Sequence, residues 1–439
     1  MFYPKTPFYG KGLQLETEIL KVNSGELKKI LPWLCKAPRT TTYRINTLRT
    51  SVADYKVKLE AKLIALYGPK APRVYGLKDL PEMLCISPLD TTENKYDDCR
   101  KELIVDTSCG AAVLRGAHIY APGVLAMESG TQLQELVNVF ADLPGKCKRG
   151  TATRYDCDEK IFIGVGQVLM QRHQLYNKEQ PVSGIAVRML TNLTGVPTLG
   201  DLSDADALLQ NLPSMVCVRV LDPQPGERVL DMCAAPGNKT THIAELMGNR
   251  GTIIAMDNSA SRVRSMTGKL VNYSCIEAHL FDATKAWDGS TDRDSTAPPF
   301  ASSSFDRILL DAPCSGLGNR PQLCCNIKQS KVLQSYPHIQ RNLLSQAVPL
   351  LRPGGTLVYS TCTVTEAECE EIVSWALRKY PQLQLVDAMP KLGSPGLPLP
   401  DLDAAQCDLL QRFGPSHDNR LQNLDTVGFF IAKLQRASA

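Results

Sequence analysis

The second half of the chain alternates short apolar segments with segments of helical periodicity, and this alternation most constrains the fold. Strands that alternate with helices build a parallel α/β sheet, because each helix returns the chain for a strand in the same direction. Ligands bind such sheets outside the carboxyl ends of the strands. Three of the apolar segments are followed by Asp257, Asp282 and Asp311, at that edge. The predicted strands are 228–232, 252–256, 276–281, 305–310, 356–359 and 427–434.

Composition places the chain among ordinary folded proteins. Its 439 residues are 43% hydrophobic and carry a net charge of +4, which excludes a disordered chain. At about 100–200 residues per domain, the length indicates two or three domains. No apolar run approaches the ~20 residues of a membrane-spanning helix, and the N-terminus has no targeting pattern. We therefore expect a soluble, cytoplasmic protein that binds no membrane, and we take it to be monomeric.

Cysteine and histidine spacing argues against a metal site. The 15 cysteines include no C-x-x-C pair, and the six histidines form no H-x-H or H-x-x-x-H pair. These spacings fit neither a structural zinc site nor a secreted disulfide scaffold. We expect no metal, and we expect most of the thiols to be buried and reduced.

Residue pattern and charge divide the chain into three regions. Residues 1–98 mix helical and strand-like stretches, and residues 193–439 carry the α/β pattern. Between them, residues 99–192 resemble a compact β-rich module, for example at 111–117 and 161–164. The first two regions hold 27 Lys and Arg against 20 Asp and Glu, whereas the third holds 22 against 25. A basic front half suggests a bound polyanion, although an uneven solvated surface explains the charge equally well.

A loop of small residues follows the first predicted strand of the α/β region. Residues 233–240 read Cys-Ala-Ala-Pro-Gly-Asn-Lys-Thr and open a helix. Small side chains let backbone N–H groups approach a ligand, but the loop is neither a P-loop nor a dinucleotide-binding G-x-G-x-x-G. Alone it would be an ordinary βα turn. Asp257 and Asp282 at the next strand ends favour S-adenosylmethionine, because they would bind its ribose hydroxyls and adenine amine.

Two cysteines lie at neighbouring strand ends. Cys314 stands in Asp-Ala-Pro-Cys-Ser-Gly, which begins at Asp311, and Cys362 stands in Ser-Thr-Cys-Thr. Most cysteines are buried and inert. Strand-end cysteines beside Asp, Pro and hydroxyl groups over a cofactor cleft indicate paired reactive thiols instead. An amino-methyltransferase would carry an Asn/Asp-Pro-Pro-aromatic run here, so the sequence favours carbon methylation through a covalent adduct.

These motifs resemble those of the Sun family of RNA (cytosine-5) methyltransferases. The resemblance rests on Leu-Asp-Met-Cys-Ala-Ala-Pro-Gly-Asn-Lys-Thr-Thr at 230–241 and on the two cysteine motifs. Residues 44–47 are similar to that family's N-terminal RNA-binding region, and 109–123 to a PUA domain. The resemblance implies a class I (Rossmann-like) methyltransferase fold with an N-terminal RNA-binding region and an inserted PUA domain. It implies methylation of carbon 5 of a cytosine in tRNA, near the 3′ end of the acceptor stem and beside the CCA end.

The resemblance also implies roles for individual residues. Cys362 would attack carbon 6 of cytosine, Cys314 would assist release, and Asp311 would protonate ring nitrogen 3. Lys239 would supply the electropositive setting that a nucleophilic thiol needs. S-Adenosylmethionine would lie across Cys233, Ala234, Ala235, Pro236, Gly237, Asn238, Lys239, Asp257, Asp282 and Asp311. Apart from the resemblance, Lys146, Lys148, Arg149 and Arg154 fall within nine residues, so some of them should contact RNA phosphates, although a solvated basic loop explains each side chain equally well. We also expect Arg115 to contact the RNA.

The chain departs from the family pattern at Asn238, where the family has a glycine. Asparagine adopts left-handed backbone angles more readily than most residues, so we expect a loop that still binds the cofactor, with an affinity that Asn238 could lower. Two other functions stay open. A DNA cytosine methyltransferase would attack with Cys314 and need no second thiol, whereas the sequence offers Cys362 as well. A catalytically silent RNA-binding protein should have lost several of the catalytic residues, and none of them is missing.

Overall fold

The structure is a computed structural model whose described part contains three β-sheets flanked by helices. It describes residues 3–8, 16, 26–91, 96–177, 181–199, 205–290, 295–325, 327, 329–415 and 425–438. Within these ranges, no helix has the length and apolar character to cross a membrane. The same residues contain no group of three or more His, Cys, Asp or Glu side chains placed to share a metal ion.

The N-terminal region forms the first sheet, which is antiparallel. Its helix α2 begins where the Ser51 hydroxyl accepts the N–H of Asp54 at 3.0 Å. Tyr55, Leu59 and Leu63 recur at every fourth position and bury one face of that helix. The elements are α1 (Glu26–Leu34), β1 (Thr41–Ile45), α2 (Val52–Tyr67), β2 (Val74–Leu77) and β3 (Leu80–Ile86).

The inserted module forms the second sheet, in the strand order β5-β9-β8-β7-β4-β6. Its elements are β4 (Glu102–Val105), α3 (Thr107–Leu114), β5 (Ile119–Tyr120), β6 (Val124–Met127), β7 (Leu136–Asp142), β8 (Lys160–Val168), α4 (Arg172–Leu175) and β9 (Ile185–Asn192). The segment 111–117 differs from the β pattern expected of it, because it contains the end of helix α3. Alanines favour that helix, and Asp106 caps it by accepting the Cys109 N–H at 2.7 Å.

After the module, the chain first returns to the N-terminal sheet. Strand β10 (Ala207–Leu209) pairs antiparallel with β1, and helix α5 (Leu212–Leu221) then leads into the third sheet. Residues 207–209 therefore complete the first sheet, although the sequence groups them with 193–439. The domain divisions at 98/99 and 192/193 stay predictions.

The third sheet has the parallel α/β topology that the sequence predicts. Its strand order is β13-β12-β11-β14-β15-β18-β16, with β17 beside β18. Strands β11 to β15 are parallel, and β18 is antiparallel to its neighbours. The order reverses between β11 and β14, which is where ligands bind in such sheets. The elements are β11 (Arg228–Asp231), α6 (Asn238–Leu246), β12 (Thr252–Asp257), α7 (Ala260–Leu270), β13 (Ile276–Leu280), β14 (Phe305–Asp311), α8 (Ser330–Leu350), β15 (Leu351–Thr361), α9 (Glu370–Lys379), β16 (Leu383–Val386), α10 (Ala404–Leu409), β17 (Gln411–Phe413) and β18 (Phe429–Arg436).

Apolar side chains cover both faces of the third sheet. Neighbouring residues of β11 point to opposite faces, so Leu230 packs in one cluster with Leu344 of α8, and Val229 packs in another with Ile243 of α6. Strands buried on both faces read as continuous apolar runs, which is why the sequence shows them clearly. Polar chemistry is left to the strand ends.

Candidate active site

The loop of small residues, 232–237, joins β11 to α6 and turns at Gly237. Gly237 has a left-handed φ of 88°, and a Cβ there would lie 2.8 Å from Cγ of Met266. Asn238 is the first residue of α6 and has no positive φ. Asn238 therefore needs no left-handed angle, because Gly237 supplies the turn, and the effect of Asn238 on cofactor affinity stays a prediction. Asn238 instead accepts a hydrogen bond through Oδ1 from Lys269 at 3.1 Å.

A cavity of about 340 Å³ lies between this loop and the N-terminal region. Asp231 lines it, and its Oδ2 accepts the Thr240 hydroxyl at 2.8 Å. The other oxygen, Oδ1, is buried without a hydrogen-bond partner among the described residues, and burial raises the pKa of Asp231 to about 7. An unpaired buried acceptor beside a cavity fits a ligand that brings a donor such as an ammonium group. Of the predicted site, the cavity is lined by Cys233, Ala234, Ala235, Pro236, Asn238, Lys239 and Asp311.

Asp257 and Asp282 lie at the next two strand ends, outside the lining of that cavity. Asp257 is 4% exposed, accepts the Ser259 N–H at 2.9 Å and pairs with Arg262 at 3.0 Å. Asp282 accepts the N–H and the hydroxyl of Thr284 at 3.1 and 2.7 Å, so it caps a short 3₁₀ helix. Their positions match the sequence prediction, and their contacts with a cofactor stay predictions.

The two predicted thiols meet where β14 and β15 end. The sulfur atoms of Cys314 and Cys362 are 3.4 Å apart. The hydrogen bond between the two sulfurs lowers the pKa of Cys362 against the effects of burial and Asp311, and Lys239 and the Asn319 amide add to the lowering. The same hydrogen bond, followed by burial, raises the pKa of Cys314 well above its usual value. The surroundings therefore favour negative charge on Cys362 over negative charge on Cys314.

Lys239 and Asp311 form a partly buried ion pair beside the thiols. Lys239 Nζ lies 2.7 Å from Asp311 Oδ2, and the Ser360 hydroxyl donates to Asp311 Oδ1 at 2.8 Å. Burial alone would lower the pKa of Lys239, but the Asp311 carboxylate outweighs it and raises that pKa. The charged ammonium group therefore pairs with the Asp311 carboxylate and favours negative charge on Cys362. Asp311 can therefore exchange a proton with a substrate ring, and Lys239 can stabilise negative charge on a sulfur.

Arg44 connects the N-terminal sheet to the start of α6, a role that the sequence pattern does not predict. Its side chain is 3% exposed, and Nη2 donates to the Thr241 hydroxyl at 2.8 Å and to Glu245 at 3.0 Å. Nη1 donates to the backbone carbonyl of Asn238. The one sequence signal for this role is an arginine within a strand-like segment, because a buried charge needs an acceptor elsewhere in the fold. The partner helix cannot be identified from sequence spacing.

Comparisons with known proteins identify the family. Residues 218–435 match the family model of 16S rRNA methyltransferase RsmB/F. The tRNA (cytosine(72)-C(5))-methyltransferase NSUN6 of Mus musculus is 39% identical, over 99% of this chain and 96% of its own length. The chain belongs to the Sun family of RNA (cytosine-5) methyltransferases. The Homo sapiens NSUN6 methyltransferase is also 39% identical to this Sun-family member, over 94% of this chain and 92% of its own length.

A solved structure of the Sun family confirms the fold and the cofactor. The crystal structure of NSun6 from Pyrococcus horikoshii with SFG, an analogue of S-adenosylmethionine, covers 100% of this chain and 99% of that chain. The TM-score is 0.74 and the identity 27%. This Sun-family methyltransferase therefore has the predicted class I fold and uses S-adenosylmethionine. The glycine turn, the cavity and the unpaired oxygen of Asp231 fit that cofactor.

Two of the predicted RNA-binding arginines in this Sun-family protein are exposed, but their guanidinium groups are engaged within the module. Arg149 donates to the backbone carbonyl of Val124 at 3.0 Å and lies 5.8 Å from the centre of the Tyr176 ring. Arg154 forms ion pairs with Glu102 and Glu128 at 3.4 Å. Both side chains hold parts of the inserted module together, which reduces what they can offer to a phosphate.

The other three predicted RNA-binding side chains are open to a ligand. Lys146 and Lys148 are exposed, and neither forms an ion pair with a carboxylate of the described residues. Arg115 lies directly after α3 and lines the 340 Å³ cavity. It also lines a second cavity of about 280 Å³, between α3 and the segment that follows Cys314. The structure thus places Arg115 between the module and the segment that follows Cys314.

Proposed function

We propose that this protein methylates carbon 5 of cytosine 72 in tRNA, near the CCA end. The carrying observation is a pair of thiols 3.4 Å apart in a chain that aligns over nearly its whole length with two NSUN6 enzymes named for that reaction. The pair favours the RNA enzyme over a DNA methyltransferase, which would need one thiol. The assembly of both thiols with Asp311 and Lys239 in one site favours an active enzyme over a silent RNA-binding protein.

In the proposed mechanism, Cys362 activates the base. Carbon 5 of cytosine is a poor nucleophile, so the Cys362 thiolate first forms a bond to carbon 6, and the electron pair moves towards carbon 5 and the ring. As negative charge develops on the ring, Asp311 in its acid form gives its proton to nitrogen 3, and Lys239 stabilises the carboxylate that remains. S-Adenosylmethionine supplies the electrophilic methyl group that carbon 5 takes up.

Cys314 acts after methyl transfer in this proposal. Carbon 5 must then lose its proton, and the bond between carbon 6 and Cys362 must break, so that the Cys362 thiolate returns. While Cys362 is a free thiolate, Cys314 keeps its proton because of the hydrogen bond between the two sulfurs. Alkylation of Cys362 removes that acceptor, so Cys314 becomes more acidic at the stage when a base is needed.

We assign recognition of the tRNA 3′ end to the inserted module. A PUA-like module at 99–192 would hold the single-stranded CCA end, because RNA sequence is read best on bases that can be splayed out. Lys146 and Lys148 would contact backbone phosphates, and Arg115 would lie between this contact and the reacting base. A monomeric, cytoplasmic enzyme stays a prediction.

The test is bisulfite mapping of tRNA transcripts incubated with the purified protein and S-adenosylmethionine. We expect one new 5-methylcytosine, at position 72. Methylation should fall strongly when the CCA end is removed and should change little when the anticodon arm is altered. A transcript with uridine at position 72 is the control and should stay unmodified.

Two outcomes would contradict the proposal. A modified cytosine elsewhere in the tRNA would assign the enzyme a different target. Equal methylation with and without the CCA end would show that the module recognises another part of the RNA.

A further inference from the structure

Two loops carry the reacting sulfurs: the loop after β14, with Cys314, and the loop after β15, with Cys362; we call them the thiol loops. Glu368 is a buried carboxylate between them, and the mechanism above gives it no role. It is 1% exposed. Its Oε2 accepts the Ser315 N–H at 2.8 Å and the Gln340 amide at 3.2 Å. Its Oε1 accepts the hydroxyls of Ser315 at 2.6 Å, Thr365 at 2.9 Å and Thr363 at 3.3 Å. Both carboxylate oxygens are therefore fully engaged.

These donors belong to the segments that carry the reacting sulfurs. Ser315 directly follows Cys314, and Thr363 directly follows Cys362. The Ser315 and Thr363 hydroxyls are also 2.7 Å apart. One carboxylate thus ties together the residues adjoining both thiols, and hydrogen bonds to a charged acceptor are roughly twice as strong as neutral ones.

Bridging the two loops does not by itself explain why the side chain at position 368 carries a charge. Its described donors are hydroxyls, one N–H and one amide, and among the described residues no ion pair joins it to a cation. Burying an unpaired charge is costly, and a neutral amide would bridge two loops without that cost. A buried charge beside reactive groups is typical of sites where ionisation is controlled.

We propose that Glu368 is a positioning residue that fixes the two thiols against each other and determines which of them becomes the nucleophile. Its charge acts on Cys314. After the hydrogen bond to Cys362 and burial, the Glu368 carboxylate is among the groups that raise the pKa of Cys314. Cys314 therefore keeps its proton and donates it in the hydrogen bond that leaves Cys362 as the thiolate.

The test compares thiol reactivity in the native protein and in Glu368→Gln. Each protein is alkylated with iodoacetamide across pH 6 to 9, without RNA, and both cysteines are quantified by mass spectrometry. In the native protein Cys362 should react faster than Cys314 at neutral pH. In Glu368→Gln the ratio of the two rates should fall about tenfold, which is the effect of one pKa unit.

Activity measurements provide a second readout, which rests on the proposed tRNA methylation. For Glu368→Gln we expect a fall in kcat of at least about tenfold, with KM for tRNA changed less than about twofold. Ser315→Ala removes one hydrogen-bond donor to Glu368, from the loop that carries Cys314. Its effects on the alkylation ratio and on kcat should have the same direction and be smaller. The alkylation ratio is measured without tRNA, so a failure of the proposed substrate would leave this test intact.

The matched control is Glu366→Gln, which removes the same charge from the same turn, next to the thiol loops but two residues from Glu368. Its alkylation ratio and kcat should stay close to native. An unchanged alkylation ratio in Glu368→Gln and Ser315→Ala, with activity that follows only the loss of thermal stability, would overturn the proposal and leave Glu368 a structural residue.

Discussion

At the scale of single residues, the two thiols share a site but differ in their electrostatic surroundings. Their sulfurs are 3.4 Å apart, and both cysteines are free and partly buried. The difference comes from the neighbours. Lys239 and Asn319 support negative charge on Cys362, whereas Glu368 opposes it on Cys314. Because two cysteines are chemically identical, these different surroundings are what supports the proposal that Cys362 is the nucleophile.

The first prediction separates the thiols by substitution. Cys362→Ser should abolish methylation and adduct formation together, because the nucleophile is lost. Cys314→Ser should still allow attack but stall release, so RNA should stay covalently bound to the protein on a denaturing gel. Cys324→Ser, a half-buried cysteine of the segment after Cys314, is the control and should behave like the native enzyme. Trapped RNA on Cys362→Ser and none on Cys314→Ser would reverse the roles.

At the scale of elements, a buried polar cluster joins β3, α5 and α6 behind the cofactor loop. Glu82 accepts from His242 Nε2 and from Arg219 Nε, both at 2.9 Å. Burial would raise the pKa of Glu82, but these two partners lower it below its usual range. Burial lowers the pKa of His242 to about 4, so the ring is neutral in the folded protein.

The second prediction follows from this cluster. Between pH 6.5 and about 4 the unfolded chain binds a proton at His242 that the folded chain does not, so stability should fall as the pH falls. The shift corresponds to at most about 3 kcal/mol. His242→Gln should flatten this part of the profile of unfolding midpoint against pH. Below the ordinary glutamate range, loss of the Glu82 charge should destabilise both proteins.

The control for that measurement is His173→Gln, because His173 is exposed. Its pH profile should match that of the native protein. Equal slopes for native protein and His242→Gln between pH 6.5 and 4 would mean that His242 does not titrate differently on folding.

The sequence predicted elements and strand-end residues well for a physical reason. Strands buried on both faces must be apolar throughout, so their ends, with Asp257, Asp311 and Cys362, stand out. Contacts between distant segments leave no such mark. The hydrogen bonds of Arg149 depend on carbonyls some 25 residues away in the chain, and the anchoring of Arg44 depends on a helix almost 200 residues later.

At the scale of the whole molecule, the module and the N-terminal region both pack on the segment that follows Cys314. Leu323 of that segment belongs to the apolar core of the module. Arg320 donates to the Trp33 carbonyl of α1 at 2.9 Å and pairs with Asp425 at 2.6 Å. Both regions that are proposed to hold the RNA therefore contact the segment that follows Cys314.

The last prediction tests whether the module binds the tRNA while the α/β region binds the cofactor. Replacing Lys146 and Lys148 together with alanine should weaken tRNA binding and reduce its dependence on salt, because each lost phosphate contact lowers the slope of log affinity against log salt by about 0.7–0.9. Affinity for S-adenosylmethionine, measured by calorimetry, should stay unchanged. Lys379→Ala with Lys391→Ala, two cations of the catalytic half, is the matched control and should leave the salt slope as it is. Arg149→Ala should instead lower the unfolding temperature, because that side chain holds carbonyls within the module. A native salt slope in the Lys146 and Lys148 variant would place the RNA on another face of the protein.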